Sequence, residues 1–66
     1  MSWVAVFDEW LRLGDDVVVR RDDRFHLLKE DAGVCWERLV AGKRVKPQHE
    51  ELLAAMASIG IAEQRP

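Results

Sequence analysis

The side chains suited to acid–base, metal or thiol chemistry are few: His26, His49 and Cys35. Their placement suits none of the three. His26 falls in an apolar, strand-forming run, His49 opens a helical pattern just after a proline, and Cys35 lies on the apolar side of another helical pattern. No C-x-x-C, H-x-x-x-H or similar ligand spacing occurs, so neither a metal nor a cofactor is expected. Cys35 reads as a small buried hydrophobe. The acids gather at turns and helix starts, as in Asp22-Asp23 and Glu50-Glu51, where turn formation and the helix dipole explain them. No Gly-x-Ser-x-Gly elbow, phosphate loop or dinucleotide fingerprint is present. The expectation is a protein that binds and does not catalyse.

The charged and aromatic residues point the same way. Arg20, Arg21 and Arg24 surround Asp22-Asp23, and local charge balance accounts for them. Lys43, Arg44 and Lys46 precede a helix start. Backbone N–H groups there could join them in holding a phosphate or an acidic side chain, although a wet loop is the simpler reading. Trp3, Trp10 and Trp36 are many for a chain with no tyrosine. A small core uses such side chains for area, each burying on the order of 150–250 Å². Trp36 and one of the N-terminal pair are expected inside, with the other exposed as an interface anchor.

The chain has 66 residues, 48% apolar and 33% charged, with a formal net charge of −2. That length sets one small domain over residues 1–66. A domain of this size buries roughly 60% of the surface its unfolded chain exposes, so its stability is narrow. The lone cysteine fits a reducing compartment, and a cytoplasmic location is expected. The acid excess makes nucleic acid a poor partner. No apolar run approaches the ~18 residues of a membrane span, and the opening MSWVAVFDEW lacks the form of a secretory signal.

Residues 2–13 read as an amphipathic helix, because Trp3, Phe7, Trp10 and Leu11 recur at helical spacing with Gly14 beyond them. A competing reading makes Trp3 to Phe7 a short strand, since Val4 and Val6 are β-branched. Val17-Val18-Val19 is the strongest strand signal, Asp22-Asp23 the turn, and Phe25 to Leu28 the returning strand. A two-residue turn sets Val18 opposite Leu27 and Arg20 opposite Phe25, with Val17, Val19, His26 and Leu28 on the other face. Asp31 is placed as the N-cap of a helix ending at Gly42. Pro47 opens the last helix, Gly60 stops it, and Ile61 folds back toward Met56. Gln64-Arg65-Pro66 reads as a frayed tail. The fold class is α+β, a small single domain ordered helix–β-hairpin–helix–helix.

A hairpin leaves strand edges that an extended peptide can join, with main-chain bonds giving affinity and side-chain pockets giving selectivity. Peptide-binding candidates are Phe25, His26, Leu27 and Leu28 on the strand. Leu52, Leu53 and Met56 on the last helix are candidates for a groove floor. The run Phe25-His26-Leu27-Leu28, Asp31-Ala32-Gly33, Cys35-Trp36, Leu39 and Gly42, with Leu52-Leu53, Met56 and Gly60-Ile61, resembles the PqqD-like peptide-binding domains, the recognition elements of ribosomally made, modified peptides. The resemblance covers about residues 17–62. It implies a winged-helix-like geometry and a role in gripping a precursor's leader peptide as an added strand, presenting it to a modifying enzyme. The same residues would then make the contacts.

A rival reading is a small acidic, phage-type inhibitor or adaptor, of the kind that blocks CRISPR complexes. It would use Asp8, Glu9, Asp15, Asp16, Asp22 and Asp23 against a nucleic-acid-handling complex. A DNA-binding regulator ranks lower, because Glu50 and Glu51 at the reading end of the last helix would repel phosphates. An open strand edge also leaves a homodimer open.

Overall fold

The computed structural model describes residues 2–66. The chain is α+β, with strands β1 (Ser2–Ala5), β2 (Glu9–Leu13), β3 (Asp16–Arg21) and β4 (Arg24–Leu28), then helix α1 (Asp31–Val40). A 3-10 turn (Pro47–His49) leads into helix α2 (Glu50–Ser58), and strand β5 (Ala62–Arg65) closes the order. Two antiparallel sheets form, one in the order β2-β3-β4 and the other pairing β1 with β5.

The N-terminal segment corrects the helical expectation for residues 2–13. It forms β1 and β2 on either side of a break at Val6–Asp8. Helical spacing of four apolar residues also fits two short alternating strands, and the alternation prevails here. Trp3 and Ala5 turn toward the core from β1, as Trp10 does from β2. Both N-terminal tryptophans are half-buried against that core, so neither stands out as the exposed anchor expected of one of them. Asp8 Oδ2 accepts the Asp22 N–H at 2.6 Å, and Arg12 pairs with Glu37.

The β3–β4 hairpin has the register that its turn implies. Val17 opposes Leu28, Val18 opposes Leu27, Val19 opposes His26, and Arg20 opposes Phe25. Both hairpin turns have a positive φ at the first central residue, 64° at Gly14 and 56° at Asp22, the sense of twist that suits adjoining strands. Val17 and Val19 are fully buried. They pack beneath α1, whose Gly33 comes so close that an added Cβ would lie 3.3 Å from Val17 Cγ2 and 3.4 Å from the Leu28 carbonyl oxygen.

Asp31 is the first helical residue of α1, and the cap position falls to Glu30, with no side-chain capping bond. Glu30 takes φ 51° and ψ −117°, turning the chain sharply while the Lys29 carbonyl accepts the Ala32 N–H at 3.0 Å. Asp31 therefore acts through the helix dipole.

Both helices end in Schellman motifs. In the first, the Gly42 and Lys43 N–H groups reach the Leu39 and Arg38 carbonyls; in the second, those of Gly60 and Ile61 reach Ala57 and Met56. Ile61 and Met56 are both buried, which adds the apolar contact of that motif. Gly60 has φ 86°, and an added Cβ would meet Arg21 Nη1 at 3.3 Å. Gly60→Ala is therefore expected to cost about 1–2 kcal/mol from the left-handed backbone alone. A lower urea midpoint at unchanged m-value would register this loss.

The C-terminal residues are a strand, not the frayed tail expected of Gln64-Arg65-Pro66. Ala62 pairs with Ala5, Glu63 with Val4, Gln64 with Trp3 and Arg65 with Ser2. The core between the sheets and helices holds Trp36, Leu53, Met56, Ile61, Leu39 and Cys35 together with Val17, Val19 and Leu28. No helix among the described residues is long and apolar enough to cross a membrane.

Candidate binding face and groove

Strand alternation gives the three-stranded sheet two unlike faces. The inner face carries Val17, Val19 and Leu28 into the core. The outer face carries Leu11, Val18 and Leu27 as one apolar row across the strands, with Glu9, Arg20 and Phe25 as the next row. Leu13 opposes Asp16 at the far end. Among the described residues no helix covers this face. Phe25 is 71% exposed, Leu13 57%, Leu27 54% and Leu11 51%.

The polar row is tied together across the strands. Arg20 Nε donates to Glu9 Oε1 at 2.9 Å, Nη2 lies 2.7 Å from the same oxygen, and Nη1 donates to the Asp22 carbonyl at 3.0 Å. A shallow hollow of about 180 Å³ opens between the rows, lined by Glu9, Trp10, Leu11, Val18, Arg20 and Phe25.

β4 is an edge strand, because the sheet order ends on it. Beside it lies a groove of about 290 Å³, lined by Arg21, Asp22, Arg24, His26, Ile59 and Gly60. Arg21 spans the gap, its guanidinium donating to the Gly60 carbonyl and holding the end of α2 against the sheet.

The peptide-binding candidates divide over this geometry. Phe25 and Leu27 share the outer face, while His26 and Leu28 point inward. His26 lines the groove and Leu28 is buried. Leu53 and Met56 are 0% and 2% exposed, and Leu52 packs beside them on the core. They are core residues and do not floor a groove, because α2 turns its apolar stripe toward Trp36 and Ile61. Ile59, Gly60 and Arg21 line the groove in their place. The Gly60-Ile61 helix exit, already legible as a stop signal, was the available clue to that approach.

The six acids of the inhibitor reading do not form one surface. Asp15 and Asp16 lie at one end of β3, while Asp22 and Asp23 lie at the other, where Asp8 and Glu9 join them. Six residues of strand separate the ends by roughly 20 Å. Arg20 also engages two of the acids, Glu9 at 2.7 Å and Asp8 at 3.6 Å.

His26, His49 and Cys35 sit on different elements, and among the described residues no group of three or more His, Cys, Asp or Glu side chains is placed to hold a metal. His49 is buried beneath the 3-10 turn. Burial pushes the Cys35 thiol above its ordinary pKa, opposed in part by the Arg38 charge. A raised pKa means less thiolate at neutral pH, and the residue is buried, 3% exposed. Cys35 is thus expected to resist a thiol-specific disulfide reagent in the native protein and to react fully in urea, a contrast read from the absorbance of the released thiolate.

Compared with family models, curated proteins and solved structures, the chain matches none.

Proposed function

We propose that this chain is a non-catalytic peptide-binding module that takes an extended segment as an added strand along β4. One observation carries the reading: β4 is an open edge whose alternate side chains face an uncovered apolar surface on one side and a groove on the other. Main-chain bonds to such an edge bind without regard to sequence, and selectivity comes from alternate side chains. Those on the outer side would extend the Leu11, Val18 and Leu27 row. Those on the inner side would enter the groove beside His26 and Ile59.

Charge sets the ends of the ligand. Arg24 opens the strand and Lys29 follows it, and neither has an ion-pair partner among the described residues. A segment with alternating apolar residues and an acid near each end fits best. The resemblance to PqqD-like domains, with their winged-helix-like geometry, supports the leader of a precursor peptide as that segment, and a peptide-modifying enzyme as the next partner.

The test is a titration with such peptides, both synthetic alternating sequences with terminal aspartates and leader segments of precursors, followed in amide NMR spectra. Saturable shifts centred on amides 24–29 are the expected result. Unchanged amides there at saturating peptide would sink the proposal. The same shifts appearing on concentration of the protein without peptide would replace the peptide by a second copy pairing along β4.

A further inference from the structure

A separate cleft lies away from β4, between the β1–β5 pair and the connector that joins α1 to the 3-10 turn. It measures about 550 Å³ and is lined by Trp3, Leu39, Lys43, Arg44, Val45 and Glu50, with Ser2, Gly42 and Gln64. That volume falls in the range of small-molecule sites, roughly 300–1,000 Å³. Trp3 and Gln64 oppose each other in the β1–β5 register, so both side chains lie on one face of that pair, and both line the cleft. Trp3 packs on the core while also lining the cleft, which makes it a fixed aromatic wall.

The cations are held on a pinned loop. The Gly42 N–H bonds the Leu39 carbonyl at 3.1 Å and the Lys43 N–H bonds the Arg38 carbonyl at 2.9 Å. Arg38 Nη2 then donates to the Arg44 carbonyl at 2.9 Å. Gly42 turns the chain with φ 73°. The backbone carrying Lys43 and Arg44 is therefore ordered before any ligand arrives, which lowers the entropy cost of binding.

Among the described residues, Arg12, Arg20 and Arg65 have carboxylate partners; Lys43 and Arg44, like Arg21, Arg24, Lys29, Arg38 and Lys46, have none. Two unpaired cations, Lys43 and Arg44, thus line this cleft. Glu50 is the acid in the lining, and it starts α2, where the helix dipole offsets its charge.

We propose that this cleft binds a small organic anion with a flat apolar body. Its carboxylate or phosphate would meet Lys43 and Arg44, and its ring would lie against Trp3 between Leu39 and Val45. The site is separate from the β4 edge and does not depend on the peptide reading.

Naphthyl phosphate is a suitable probe, titrated into the full chain with the tryptophan indole N–H and backbone amide signals followed by NMR. Inorganic phosphate and naphthol serve as controls. Saturable shifts are expected at the Trp3 indole and at amides 42–45, with signals 24–29 and the Trp10 indole unmoved. The Lys43→Gln/Arg44→Gln variant keeps the native spectrum, because both side chains are exposed. It should bind roughly tenfold more weakly or worse, each tenfold being about 1.4 kcal/mol. Three results would each overturn the proposal: no saturable shift at Trp3, equal affinity in the double variant, or shifts centred on Trp10 and Phe25 of the outer sheet face. Inorganic phosphate binding as tightly as the probe would remove the apolar body from the ligand class.

Discussion

Replacing Trp36 by alanine is expected to unfold the protein. Trp36 is fully buried on α1, in one core with Val17, Val19, Leu53 and Ile61. Phe7 closes over it edge-on, with ring centroids 5.4 Å apart and planes at 77°. Removing a buried indole costs about 3–5 kcal/mol, because the transfer energy is lost and a cavity remains. A chain of this length has only about 3–10 kcal/mol in total at typical per-residue stability. Trp36→Ala should therefore lose its amide dispersion and its cooperative melting transition. Trp36→Phe should stay folded at a cost below about 2 kcal/mol, because the indole N–H has no acceptor in the core and its removal leaves nothing unpaired. A cooperative melt for Trp36→Ala within about 1 kcal/mol of the parent would refute this account of the core.

The other large effect is expected in binding. Phe25 and Leu27 are the exposed apolar side chains of β4 and touch no core residue group that depends on them. Phe25→Ala/Leu27→Ala should leave the melting curve within about 0.5 kcal/mol of the parent, as is usual for exposed positions. Affinity for an alternating peptide should nonetheless fall more than about tenfold, since truncating central apolar anchors of an interface costs upward of 1 kcal/mol each. The pairing amides of β4 would still be present, so residual binding should have lost its preference for apolar side chains. Affinity unchanged within about twofold, measured by calorimetry, would move the ligand off this strand.

The parts of this fold that were legible are those set by local chemistry. A two-residue acidic turn between Val17–Val19 and Phe25–Leu28 determines the register, and alternation then puts Phe25 and Leu27 together on one face. Gly42 and Gly60 mark helix ends because each takes a left-handed backbone. Residues 2–13 were not legible, because aromatic residues three and four apart serve a helix or two broken strands equally well. Their pairing with β3 and β5 decided the matter. Ala62–Arg65 has little strand propensity of its own and is a strand through its main-chain bonds to β1. The groove followed the same rule. His26 and Arg21 were visible as parts of one hairpin, whereas Ile59 meets them only through the docking of α2, a contact that no local pattern encodes.

The β1–β5 pair joins the first described residue to the last but one, Ser2 to Arg65. Such a contact can form only after the intervening chain has surrendered most of its freedom, since closing so long a loop has a large entropy cost. The hairpins and helices between them are local and quick to organise. The order of assembly should therefore run from the middle outward, with the terminal strands docking last. Amide exchange of Val4 and Glu63 would then report partial opening long before Val17 and Val19 exchange. The cleft that carries Trp3 would come into being only with that final step.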